Sequence, residues 1–359
     1  MLSRLLTLAL LSIPSALAAT TCNGHAQLCG QLYSNVTYIG AHNSYAVGSS
    51  VAENQGKDVT AQLNDGIRTL QIQAHKAQDG IHLCHSACWL LDAGLLSDYL
   101  SKVASWVKLN PNDAVITLVI VNIDNLPVTS FTSAFESSGL SNKTFTPSKQ
   151  PRTLQDWPTL SDMIDQGKTV VAFIDNQADL NSVPYLIDEF TALWEDAYDV
   201  TDQEFGCAIN RSSGTSTPQP YLINHFLDST YSFSGTQLFV PNKDKLNETN
   251  AESGTGSIGF HVDNCRKPWG RNPTYILLDF YDSNGNAPFN LAASLNNVPA
   301  PTNTVSVGSD ATASSGNSAG VSSKSLNGAS PNADSILKNT VLALGLMVGV
   351  GLGVGRVLM

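Results

Sequence analysis

The sequence predicts one α/β domain, a distorted (β/α)8 TIM-type barrel, followed by a C-terminal stalk. Three observations carry that prediction. Short apolar runs alternate with helix-like segments over residues 19–298. The run "AVITLVIVNID" (114–124) is apolar on both faces, as a strand covered by helices must be. Polar residues gather where the runs end, the place where barrel enzymes keep their chemistry. Strand–helix alternation of this kind implies a parallel sheet with helices outside. About 280 residues is an ordinary length for one such barrel.

The elements follow in order. "VTYIGA" (36–41) is the first strand. A helix-like "DVTAQLND" leads to the second, "GIRTLQIQ" (66–73), and "GIHLCHS" (80–86) reads as a third. The helix "LLSDYLSKVASWVKLN" (95–110) precedes the apolar run at 114–124, and "TSFTSAFESSG" is the next helix. "TLSDMIDQG" leads into the strand "KTVVAFID" (168–175), and "SVPYLIDEFTALWEDAY" reads as a helix. "PYLINHF" (220–226) and "TYILLDFYD" (274–282) are the last clear strands, with an eighth expected between 226 and 274. An open doubly wound sheet is the competing architecture, but no glycine-rich nucleotide turn follows the first strand. The strand ends carry His42, Asn43, Gln71, Gln73, His85, Asn122, Asp175, Asn224, His225, Asp279 and Asp282.

The chain ends are not part of this domain. Residues 1–18 read as a secretory signal, with Arg4 before an apolar run and small residues at the cut. Residues 299–327, rich in Ser, Gly, Ala and Asn, predict a disordered linker that cannot bury a core. Residues 328–359 read as the removed propeptide of a glycosylphosphatidylinositol (GPI) anchor: small residues, a polar spacer, then an apolar tail too short to span a bilayer comfortably. Asn327 is the expected attachment residue. The expected location is therefore the outer face of the plasma membrane or the cell wall.

The formal net charge is −11, and losing Arg4, Lys338, Arg356 and Asp334 with the two end segments takes it to −13. An acidic chain of this kind is a poor nucleic-acid binder. Six cysteines, Cys22, Cys29, Cys84, Cys88, Cys207 and Cys265, suit an oxidising compartment. Proximity favours Cys22–Cys29, Cys84–Cys88 and Cys207–Cys265. Sequons at Asn35, Asn142, Asn210 and Asn247 mark expected glycosylated surface loops.

Two histidines at strand ends, His42 and His85, are the natural pair for phosphodiester chemistry. One can take a proton from an attacking hydroxyl while the other gives one to the leaving oxygen. Taken alone, His42 reads as a turn residue; His85 and its neighbours change that balance. The blocks "AHNSYAVG", "QLNDGIRTLQIQ", "IHLCHSACW", "DWPTLSDMIDQGKTVVAF" and "ILLDFYD" resemble the X domain of phosphatidylinositol-specific phospholipases C. Within that superfamily the chain is most similar to the secreted PLC-like phosphodiesterases of fungi and plants.

The resemblance implies that His42 is the general base and His85 the general acid. It implies an acidic residue orienting His42, with Asp279 the best match and Asp282 behind it. It places Asn43, Arg68, Gln73 and Asn122 against the substrate, a phosphodiester in a lipid such as a phosphoinositide or an inositol glycolipid. In calcium-using relatives Asn43 would be a metal ligand. Here, however, the positions of the other Ca2+ ligands look like Gln71, Gln73 and Asn122, and amides are weak ligands by themselves. The arginine that metal-independent bacterial relatives place near Gln73 is missing, leaving His75 and Lys76 as the nearby cations. A second reading stays open, a barrel that binds a phosphorylated or glycan ligand without turning it over. A glycosidase would need two facing carboxylates, and the strand ends offer no convincing pair. Trp89 and Trp269 read as packing residues.

Overall fold

The computed structural model describes residues 19–308 apart from 112–113, 215–216 and 234–235. The predicted leader, the anchor signal and Asn327 lie outside the described residues. In chain order the strands are β1 Tyr38–Ala41, β2 Thr69–Lys76, β3 Ile81–Cys84, β4 Asp92–Leu95, β5 Ile116–Asn122, β6 Val170–Ile174, β7 Leu186–Asp188, β8 Trp194–Glu195, β9 Tyr221–Asn224, β10 Asp228–Phe233, β11 Thr236–Pro241 and β12 Tyr275–Leu278. The α-helices are α1 Val59–Asp65, α2 Leu96–Leu109, α3 Thr132–Ser137, α4 Leu160–Asp165, α5 Glu189–Ala192, α6 Leu246–Thr249, α7 Ile258–Trp269 and α8 Ala287–Leu295. Eight strands pair in parallel along the path β7-β6-β5-β2-β1-β12-β9-β8, which is their order around a barrel. Among the described residues β7 and β8 are not paired, so the ring is open there.

Three expectations are corrected. The run 80–86 is not a barrel strand: β3 pairs antiparallel with both β2 and β4. Only residues 77–80 separate β2 from β3, and a parallel crossover needs a dozen or more. The expected helix over 182–198 is β7, a single turn α5, and β8. Here the strands are too short for their alternation to show against the helical pattern. The stretch 226–274 supplies no barrel strand; it holds the antiparallel hairpin β10–β11 with α6 and α7.

Alternation along each strand builds two cores. Leu70, Ile72, Ile116, Leu118, Ile120, Ile276 and Leu278 join α-helical residues such as Leu100, Val103 and Val262 in the layer outside the ring. Tyr38, Val119, Val171, Phe173, Leu222, Tyr275 and Leu277 fill its interior. The same parity, carried to the strand ends, turns His42, Gln71, Gln73, Val121, Glu195, Asn224 and Asp279 inward. Helix α2 buries Leu96, Tyr99, Leu100, Val103, Trp106 and Val107, the stripe expected of an outer helix. Helix α1 starts on Asp58, whose carboxylate caps the Ala61 amide, and stops at Gly66 in the left-handed region, φ 118°. No helix among the described residues is long and apolar enough to cross a membrane.

Gly40 sits where β1 is squeezed between β2 and β12. A Cβ there would lie 2.7 Å from Leu277 Cδ2 and 2.9 Å from Thr69 Cβ. Gly40→Ala is expected to cost about 1–3 kcal/mol by overpacking. Urea denaturation checks it, and an unchanged midpoint would show that the ring relaxes around the methyl group.

The three disulfides are Cys22–Cys29, Cys84–Cys88 and Cys207–Cys265, the pairs favoured by proximity. Asn35, Asn142, Asn210 and Asn247 are all exposed. The chain beyond 298 stays against the barrel as far as 308: Val305 is buried, and the Gly308 amide donates to Asp282.

Candidate active site

A cavity of about 560 Å³ opens at the C-terminal ends of the strands, lined by His42, His85, Gln71, Gln73, Asp199, Arg211, Asn224 and Phe226, with others. His42 follows β1, and its amide donates to Leu278 O of β12. Its ring lies flat on Phe226, 3.9 Å between centroids and 2° between planes. Its Nδ1 is 2.8 Å from Asp279 Oδ1, which also accepts from Asn54 Nδ2 at 3.0 Å. Its Nε2 receives the Asn43 side-chain amide at 3.1 Å. A carboxylate can only accept and an amide nitrogen can only donate. Asn54 Nδ2 also lies 3.4 Å from Nδ1, but its shorter bond is to Asp279, so the 2.8 Å carboxylate contact decides the tautomer: the proton on Nδ1 and a lone pair on Nε2. That is the base form.

His85 lies on the turn between β3 and β4, in the loop closed by Cys84–Cys88. Its Nδ1 is 2.5 Å from Ala52 O, so Nδ1 carries a proton and Nε2 is the nitrogen free to react. Burial lowers its pKa, opposed by the Ala52 hydrogen bond and reinforced by nearby His42. Ser86, at φ 59°, donates its amide to Gln73 Oε1 at 3.1 Å, and Tyr45 donates to Cys84 O.

A bridge spanning four residues closes only a short loop, so removing it relaxes the unfolded chain little. Replacing Cys84 and Cys88 together with serine is expected to shift the melting temperature slightly. It should still lower kcat about 10-fold to 100-fold through misplacement of His85. Turnover and a thermal melt on the same variant check this, and wild-type kcat would count against it.

The sequence-predicted residues divide. His42, His85, Gln71 and Gln73 line the cavity, and Asp279 supports His42 from behind. Asn43 is fully buried and belongs to the network under His42 rather than to the cavity wall. Arg68 precedes β2, at the far end of the strand; its guanidinium donates to Leu63 and Ile67 carbonyls and lies over Trp106. Asn122 has the outward parity: it caps the following turn through Leu126 and bonds Asn176, while Val121 and Ile123 line the cavity. Asp282 bonds Gly308 instead of His42. Buried His75 lies beside Asp124, Lys76 is exposed, and neither reaches the cavity. Trp269 packs on Trp194, but Trp89 is 56% exposed at the cavity rim.

Sequence reasoning missed Asn54, Phe226, Asp199 and Arg211. Arg211 follows the Asn210 sequon and so reads as part of a surface loop. The structure brings it back against β8, where it pairs with Glu195. Burial, with Glu195 beside it, holds the Glu189 carboxyl well above the usual carboxylate range. Buried Asp228 is pushed up to about 8 by burial, with the charges of Asp279 and Asp199 adding to the shift, so it is neutral at acidic pH.

Calcium prefers several hard, charged oxygens. Here Gln71 Oε1 already accepts the Asn43 amide and Gln73 Oε1 the Ser86 amide. Buried oxygens without a partner near His42 include Asn43 Oδ1, Asp279 Oδ2 and Gln55 Oε1, of which only one belongs to a carboxylate. Among the described residues, the clusters of three possible metal-ligating side chains are Cys84, Cys88, Asp92 and Asp196, Cys207, Cys265, and their sulfurs are in disulfides. This donor set does not fit Ca2+.

A family model described as "PI-PLC X 1" matches residues 28–296. A protein of Arthroderma benhamiae named "Uncharacterized secreted protein" is 45% identical over 285 residues, covering 77% of this chain and 64% of that relative's length. The "PI-PLC X domain-containing protein 1" of the same organism is 43% identical, over 72% of this chain and 84% of its own. The solved structure of the F249X mutant of phosphatidylinositol-specific phospholipase C from Staphylococcus aureus aligns with 70% of this chain and 88% of its own, at 13% identity and a TM-score of 0.45.

Proposed function

The chain belongs to the PI-PLC X family, and from that premise we propose that it is a phosphodiesterase acting on a lipid through His42 and His85. The observation that carries the proposal is the pairing of a histidine fixed as a base by Asp279 with a second histidine on the same cavity. An attacking hydroxyl, from water or from the substrate next to its phosphate, loses its proton to His42 Nε2 as its oxygen bonds phosphorus. The bond from phosphorus to the leaving oxygen breaks, and that oxygen takes the proton from His85 Nε2. Asp279 stabilises the imidazolium formed on His42. This step requires the incoming hydroxyl to replace the Asn43 amide now at Nε2.

The cavity rim supports a lipid substrate. Nine large apolar or aromatic side chains are exposed among the described residues; five of them, Trp89, Ile123, Tyr198, Tyr231 and Phe239, line this one cavity. Concentrated apolar exposure marks an interaction site, and Trp and Tyr suit a membrane interface. Three disulfides and a relative named as secreted support secretion, with the GPI anchor at Asn327 as the proposed membrane tether.

The test is release of water-soluble phosphate product from phosphatidylinositol vesicles by the full chain, with EDTA and with added Ca2+. Equal turnover in both is expected, since the donors do not suit calcium. A calcium requirement would overturn the metal-free mechanism. Binding without release would favour the non-catalytic barrel, the reading that the neutral Gln71 and Gln73 support.

A further inference from the structure

We propose that Arg211 supplies the positive charge that meets the phosphoryl oxygens in this cavity, as a catalytic residue contributed by the loop after β8. The inference rests on the phosphodiesterase reading and assigns the group that reading lacks. Charge builds on the non-bridging oxygens during displacement at phosphorus and must be met by a cation or by fixed donors. Among the described residues lining the cavity, Arg211 is the only lysine or arginine.

Its placement is built rather than incidental. Backbone hydrogen bonds join Arg211 and Glu195 in both directions, at 3.0 and 3.2 Å, so the loop is held against β8. Further back, Cys207–Cys265 ties the same loop to α7. The guanidinium sits between aromatic rings, 4.7 Å from the Tyr198 centroid and 5.1 Å from that of Phe190. Its Nη2 donates to Glu195, whose side chain is 3% exposed against 31% for Arg211. The carboxylate thus anchors the buried side and leaves the arginine open toward the cavity. Guanidinium carries five donors. Here the Glu195 contact occupies one, while Nε is buried with no partner. A planar fork held in place, with donors to spare, suits a phosphodiester or phosphate monoanion.

Arg211→Ala alone strands the buried Glu195 charge and threatens folding, so the test uses Arg211→Lys, the double variant Arg211→Ala/Glu195→Gln, and Glu195→Gln. Turnover on phosphatidylinositol vesicles and calorimetric titration with inorganic phosphate are measured on each full chain. Expected are a drop of about 100-fold in kcat for the double variant, a smaller drop for Arg211→Lys, and loss of phosphate binding with the double variant. Glu195→Gln frees the guanidinium and should bind phosphate several-fold more tightly. A merely structural Arg211 would leave phosphate affinity unchanged in all three, and that result overturns the inference. Phosphate binding is read without turnover, so it stands apart from the histidine mechanism. If His42→Ala and His85→Ala keep wild-type turnover, the phosphodiesterase mechanism fails while the calorimetry still decides Arg211.

Discussion

His42→Ala is expected to lower kcat on phosphatidylinositol about 10³-fold with little change in KM, the scale of a lost general base. The loss should concern chemistry and not folding, because the ring is partly exposed and its neighbours Phe226 and Asp279 keep other contacts. Asp279→Asn is the sharper companion. An asparagine amide facing Nδ1 can donate there, pushing the proton to Nε2 and removing the lone pair that accepts from the nucleophile. A loss of about 10² to 10³-fold in kcat is expected, with an unchanged melting curve separating tautomer from fold. Near-wild-type kcat in either variant would remove His42 from the reaction.

His85→Ala is expected to lower kcat about 10²-fold to 10³-fold on a lipid whose leaving group is an ordinary alcohol. It should matter far less on a substrate with an acidic, nitrophenol-type leaving group, which departs without a proton. His42→Ala should cripple both substrates alike. In the wild type the acid must be protonated, and burial holds the His85 pKa below its ordinary value of 6.5. Protonated His85 is therefore lost as pH rises through a value under 6.5, and kcat/KM should fall over that range. An acidic optimum is expected. In His85→Ala this basic limb should vanish. A wild-type profile flat from pH 5 to 8, or a limb that survives the substitution, would contradict the assignment.

Much of the barrel was legible because its signal is local. Seven apolar runs of strand length were visible, and six form barrel strands. The seventh, at 80–86, has the composition of a strand, but the four-residue link from β2 dictates an antiparallel partner. The strands β7 and β8, three and two residues long, fell below the length at which alternation can be read. Asn122 shows a signal that was present and unused. It lies an odd number of residues from Val119, so parity alone turns it away from the interior that Val119 faces.

By itself, then, the sequence determined the alternation of elements and the inward parity of His42, Gln71, Gln73 and Asp279. These are properties of neighbours along a strand, with a period of two. Only the tertiary structure decided the partners. Asp279 reaches His42 across 237 positions because β1 and β12 lie side by side. His85 reaches the same cavity from a hairpin outside the ring. Arg211 arrives on a loop whose path is set by β8 and by a disulfide to a helix. Such contacts depend on where distant segments are held in space, and no local pattern encodes that. The charge missing from the expected strand end is supplied from elsewhere in the fold.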